Sequence, residues 1–202
     1  MNVIYQTPVY GENYFKGDIF GTDIDCSLLH GGIAYFQRWD KMGDIECQHV
    51  GIVKDENTVI QAHLKKGVHE ANIHDMFEDP RLKIYFRRLK GITPEIADEL
   101  VAHAVKHLGD KYDGSLIVSQ AINNSLLGRL VNKLSKERVE EIISALCDSP
   151  DEWICSEIIA HILDEHPKYK DVGCLKKSVS VITPQDLIQD EELFKVWHGK
   201  AT

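Results

Sequence analysis

Two short apolar runs separated by four polar residues constrain this chain more than any other feature. Gln48–Val53 and Thr58–Leu64 each suit a β-strand, and Lys54-Asp55-Glu56-Asn57 between them suits a turn. In such a hairpin, opposed residues share a face and their numbers sum to a constant. A loop centred on Asp55 sets His49 opposite Gln61, whereas a loop centred on Glu56 sets it opposite His63. Either partner lies on the same side of the sheet as His49, where a polar neighbour can fix an imidazole's tautomer and orientation. A histidine on a strand is also met as a structural residue with its hydrogen bonds satisfied.

The rest of the chain alternates between the two periods. Leu82–Leu89 sets Leu82, Ile84 and Phe86 against Lys83, Tyr85 and Arg87, the pattern of a half-buried strand. Thr93 and Pro94 suit the cap and first turn of a helix, Ile96, Leu100, Val101, Ala104, Val105 and Leu108 follow at helical spacing, and Gly109 suits its end. Further helical patterns cover Leu116–Leu134 and Lys136–Leu146, and another starts near Cys155 with Ile158, Ile159, Ile162 and Leu163 on its apolar side. Residues 11–48 are punctuated by glycines and read as irregular, apart from a short helix over Ile33–Met42. Val179–Ile182 suggests a last strand before a capped start at Thr183-Pro184. Strands gathered in one part with helices around them predict an α+β fold. The 202 residues, with no repeat and no linker-like stretch, suit one domain.

Charge and cysteine content narrow the function classes. With 23 Lys+Arg against 32 Asp+Glu, a net charge of −9 argues against a protein that coats nucleic acid or is drawn to an anionic lipid surface. The cluster Lys83, Arg87, Arg88 and Lys90 suits a solvated strand edge. No apolar run approaches the ~20 residues of a membrane span. The first residues lack a basic segment followed by an apolar one, so a cytoplasmic location is expected. Five scattered cysteines (Cys26, Cys47, Cys147, Cys155, Cys174) read as free thiols, and no CxxC pair suggests a metal. His103 and His107 are four apart, but Ala104 stands where a zinc peptidase helix needs Glu, and His69 and His74 are spaced too far round a helix to share one face. Neither a metal nor a cofactor is expected.

A candidate nucleophile lies at the opposite end of the chain from the hairpin. Trp153-Ile154-Cys155-Ser156-Glu157-Ile158-Ile159 puts Cys155 at the opening of an apolar-periodic helix. Backbone N–H groups at a helix N-terminus favour a thiolate and point to where an oxyanion would form. The same position would also suit a small buried residue.

Together these segments resemble the permuted NlpC/P60 superfamily of papain-like cysteine hydrolases, which includes the lecithin retinol acyltransferase-like enzymes. Lys16-Gly17-Asp18-Ile19-Phe20 is similar to the family's Gly-Asp-hydrophobic opening, and Gln48-His49-Val50-Gly51-Ile52-Val53 to its histidine strand. Leu108-Gly109-Asp110-Lys111-Tyr112-Asp113 resembles the Leu-Gly-x-x-Tyr segment that ends the helix before the nucleophile. Ile154-Cys155-Ser156-Glu157-Ile158 resembles the start of the nucleophile helix, and Thr183-Pro184-Gln185-Asp186-Leu187 the Thr/Ser-Pro-x-Asp-Leu close. The matches run from about residue 16 to 188, with the histidine before the cysteine as in the permuted order.

The resemblance implies a circularly permuted papain-like fold and a Cys155–His49–polar triad. Its third residue lies about a dozen positions after the histidine, which favours Gln61 over His63 and agrees with the loop centred on Asp55. Glutamine departs from the His or Glu often found there: it can orient an imidazole but cannot balance an imidazolium's charge. Tyr112 resembles a cleft-lining residue, and Gln48 and His63 flank the site as candidate substrate contacts. A second departure is the helical insertion at about 114–150, which suits a lid or a solvated helical pair. The implied activity is hydrolysis of a small peptide or amide through a thioester. The alternatives are a lipid-directed acyltransferase or thioesterase, and an inactive binding module of the same fold.

Overall fold

An antiparallel sheet organises the residues that the computed structural model describes, namely 7–24, 47–63, 66–79, 82–110, 153–179 and 182–195. Its strands are β1 (Ile19–Ile24), β2 (His49–Val53), β3 (Thr58–His63), β4 (Gly67–Asn72) and β5 (Leu82–Arg87), in the order β4-β3-β2-β1-β5. The helices are α1 (Ile73–Glu78), α2 (Pro94–Lys106), α3 (Trp153–Glu165) and α4 (Pro184–Gln189), with a 3-10 turn at Gly173–Lys176. The expected α+β class is what these elements form.

The hairpin of β2 and β3 forms where the sequence puts it, but in the other register. Gly51 pairs with Gln61, Ile52 with Ile60 and Val53 with Val59, a constant sum of 112 and not the favoured 110. The cause is the turn. Lys54 N–H still bonds Thr58 O, so the loop is only Asp55-Glu56-Asn57, and the Asp55 carboxylate accepts from the N–H groups of Asn57 and Thr58. β1 lies in the stretch expected to be irregular, and β4 and α1 are additional elements that the reading of strands and helices did not include. The described ends of the expected strand Val179–Ile182 are not strand: Ile182 N–H closes a turn onto Val179 O. The expected helices at 33–42, 116–134 and 136–146 lie outside the described residues, as does the 114–150 insertion.

Both faces of the sheet are covered. Ile19, Val50, Ile52, Ile60 and Ala62 belong to the larger core, where α2, α3 and α4 contribute Leu100, Ile159, Leu163 and Leu187, all at most 1 % exposed. Side-chain alternation turns Phe20, Val53 and Val59 the other way, into a smaller cluster with Tyr14 and Ile73, against which Phe77 of α1 and Phe86 of β5 pack. Burying a side chain of this size removes about 1.5–3 kcal/mol of unfavourable exposure, so β1, β2 and β3 are held from two sides. β5 shows the consequence. Arg87 is not on a solvated edge: it is 2 % exposed, donates to Asp190 O at 2.9 Å and lies over the Phe194 ring. Burial lowers its guanidinium to about 10. Arg88 is also engaged, gripping the buried Asp18 carboxylate through Nε and a terminal nitrogen at 2.9 and 2.7 Å above the Phe15 ring.

The helix ends follow their capping residues. Thr93 caps α2 by accepting from Ile96 N–H, with Pro94 in the first turn. α4 opens with a reciprocal capping box between Thr183 and Asp186. Beyond α2, Gly109 adopts φ +87° and its N–H bonds Val68 O, while Asp110 O accepts from Val68 N–H. At the other margin Leu89 bridges Phe194, with Lys90 N–H bonded to Leu193 O and Lys195 N–H to Arg88 O.

Candidate active site

His49 is the first residue of β2 and is 9 % exposed. Its Nε2 lies 2.7 Å from Gln61 Oε1. A carboxamide oxygen can only accept, so in this contact His49 Nε2 is the donor. Gln61 is a diagonal neighbour, since its ladder partner is Gly51. The glutamine expected to steer the imidazole is within hydrogen-bond distance of it, from a register in which the two are not directly opposite. His63 does not take its place; its ring stands edge-on to His69, with centroids 6.0 Å apart.

Cys155 is the third residue of α3, so the helix start expected for it is present. Its sulfur is fully buried and accepts from Val50 N–H at 3.4 Å, which ties α3 to β2 one residue beyond His49. Backbone geometry then puts Sγ within about 6 Å of His49 Cα, inside the reach of an imidazole. A backbone N–H on sulfur is an interaction that strengthens when the sulfur is a thiolate. The next residue anchors this turn of α3: Ser156 Oγ, also buried, donates to Ile182 O at 2.7 Å.

The closing segment braces the same strand. Gln185 of α4 accepts from Cys47 N–H at 2.8 Å, and Cys47 Sγ donates to His49 O at 3.3 Å. Gln48 is 3 % exposed, with its N–H on Thr22 O. It therefore sits packed in the segment that leads into β2. Gly51 is required by packing: a Cβ there would stand 2.6 Å from Phe20 Cζ and 2.7 Å from Ile60 O. The Phe20 ring that covers Gly51 also lies 6.0 Å from the His49 ring. Tyr112 lies outside the described residues.

One residue at this site escaped the sequence reading. His69 of β4 is the ladder partner of Gln61, its Nε2 lies 3.5 Å from Gln61 Nε2, and its Nδ1 lies 3.0 Å from Gly67 O. In the sequence His69 stands out only as a possible metal ligand with His74; Lys65-Lys66-Gly67 after the second apolar run is the signal that a third strand returns there. Among the described residues no group of three His, Cys, Asp or Glu side chains could hold a metal. His103 and His107 instead pair with Glu165 and Asp110, each at 2.9 Å. Cys47, Cys155 and Cys174 are all buried. No helix among the described residues is long and apolar enough to cross a membrane.

The chain matches no known family model, no curated protein and no solved structure.

Proposed function

We propose that this chain is a cysteine hydrolase of the permuted NlpC/P60 type, acting on a small peptide or amide through Cys155, His49 and Gln61. The observation that carries the reading is the convergence on one strand end. Val50 N–H bonds Cys155 Sγ while Gln61 holds the Nε2–H of the preceding residue, His49.

Gln61 leaves the basic nitrogen of His49 at Nδ1, the atom that can take the thiol proton of Cys155. The sulfur then attacks the substrate carbonyl carbon, an S–C bond forms, and the carbonyl π electrons move to oxygen. N–H groups at the start of α3 are suited to stabilise that oxyanion. Collapse breaks the bond to the leaving amine, which receives the proton from His49 and departs, leaving a thioester on Cys155. Water then gives a proton to His49 and its oxygen attacks the thioester. The carboxylic acid leaves and the proton returns to sulfur.

Site-resolved mass spectrometry of iodoacetamide labelling tests this without a known substrate. Cys155 is expected to label at pH 6, where an ordinary thiol is almost wholly protonated, and His49→Ala should slow that labelling about 100-fold. Equal labelling of Cys155 in the two proteins would overturn the proposal. Hydrolysis of an acyl-amide and acyl-ester panel should vanish in Cys155→Ala; retention of full activity would equally overturn it. Cleavage of esters and not amides would favour the lipid-directed branch.

A further inference from the structure

We infer that His69 is a positioning residue that sets which way up the Gln61 carboxamide lies, and through it the tautomer of His49. The inference rests on the proposed role of His49 and extends it by one strand.

A glutamine amide is nearly symmetric in shape, and turned over it would offer His49 an N–H donor where it now offers an oxygen. His49 would then have to accept at Nε2 and keep its proton on Nδ1, the wrong tautomer for taking a proton from Cys155. Something must therefore distinguish the two ends of Gln61. His69 does so through a chain of groups with fixed polarity. Gly67 O can only accept, so the 3.0 Å contact gives His69 a proton on Nδ1 and a lone pair on Nε2. That lone pair faces Gln61 Nε2 at 3.5 Å, a long hydrogen bond in which the amide must donate. With its nitrogen turned to His69, Gln61 presents Oε1 to His49 at 2.7 Å. Three side chains on β2, β3 and β4 thus form a line running from a backbone carbonyl to the imidazole. The ladder pair Gln61–His69 sets the spacing, and the His63 ring standing edge-on to His69 limits how it can turn.

A carboxylate at position 61 would present the same face either way up, and this difference separates positioning from plain structural support. In the natural background, His69→Phe should lower the rate of Cys155 labelling at pH 6 about fivefold, equivalent to about 1 kcal/mol at 1.4 kcal/mol per decade. His69→Gln, whose side-chain oxygen can accept from Gln61, should stay within about twofold of the unmodified chain. In a Gln61→Glu background, His69→Phe should change the rate less than about twofold. A similar fivefold loss in both backgrounds, or a loss with His69→Gln as large as with His69→Phe, would overturn the inference.

Nitrogen NMR of the His49 ring gives a readout that needs no reactive cysteine. The unmodified protein should hold the Nε2–H form, and His69→Phe should populate Nδ1–H. An unchanged Nε2–H form in His69→Phe overturns the inference whatever Cys155 does. A tautomer that follows His69 while labelling ignores His49 leaves the positioning intact and removes the hydrolase reading instead.

Discussion

Replacing Gly51 with alanine tests the packing that holds β2 in place. The added methyl would lie 2.6 Å from Phe20 Cζ and 2.7 Å from Ile60 O, where carbon contacts are comfortable only near 3.5–4 Å. Roughly 1 Å of space must therefore be created on two sides. Neither obstacle yields cheaply. Phe20 is fully buried, and Ile60 is fixed in the ladder opposite Ile52. Overpacking of a filled core costs about 1–3 kcal/mol, and two immobile neighbours put this case at the upper end, about 3 kcal/mol. For a chain of this length that corresponds to a fall of roughly 6–12 °C in Tm, read by calorimetry or circular dichroism. The same substitution should cost about 1 kcal/mol in a Phe20→Leu background, where the ring tip is gone. A Tm within about 2 °C of the parent, or an equal penalty in both backgrounds, would refute the steric account. Because the displaced ring borders His49, Cys155 labelling should slow as well.

Three further outcomes follow from individual contacts. Gln61→Glu would put a carboxylate about 2.7 Å from His49 Nε2, an attraction of about 6 kcal/mol at an effective dielectric of 20 that desolvation largely offsets. The pH at which His49 loses its proton should rise, because the carboxylate favours the imidazolium; an NMR titration without an upward shift would count against the geometry. Asp18→Ala removes both Arg88 contacts and the Phe15 N–H acceptor, and a loss of about 2–3 kcal/mol is expected from urea unfolding, with less than ~0.5 kcal/mol sinking the assignment. Burial, reinforced by the Asp190 carboxylate, pushes the Cys174 thiol well up, so at pH 8 it should resist iodoacetamide; labelling of Cys174 at the rate of an ordinary thiol would contradict that environment.

The sequence made the local parts of this site readable and the long-range parts only by analogy. His49 and Gln61 are twelve residues apart in one hairpin, so alternation alone puts them on a common side. Their register was not readable, because it depends on Asp55 folding back on its own loop, a contact that a count of polar residues does not reveal. Arg87 misled for a different reason: charge on an edge strand ordinarily points to water, but Phe194 and Asp190, about a hundred residues later, cover it. Thr93, Pro94 and Thr183 marked their helices correctly because capping is a property of the adjacent backbone. β4 carried too little apolar alternation to stand out, and with it the contribution of His69 stayed hidden.

The backbone bonds at the two margins of the sheet bear on how molecules of this protein behave in a crowd. An outermost strand is a template on which another chain can add itself and seed an aggregate. Gly109 and Asp110 occupy the hydrogen-bonding groups of Val68 on one side, and the segment around Phe194 occupies those of Arg88 and Lys90 on the other. A newcomer seeking to extend the sheet at these positions must first displace a segment of the chain itself, so intermolecular strand addition there is disfavoured for as long as those two segments stay docked.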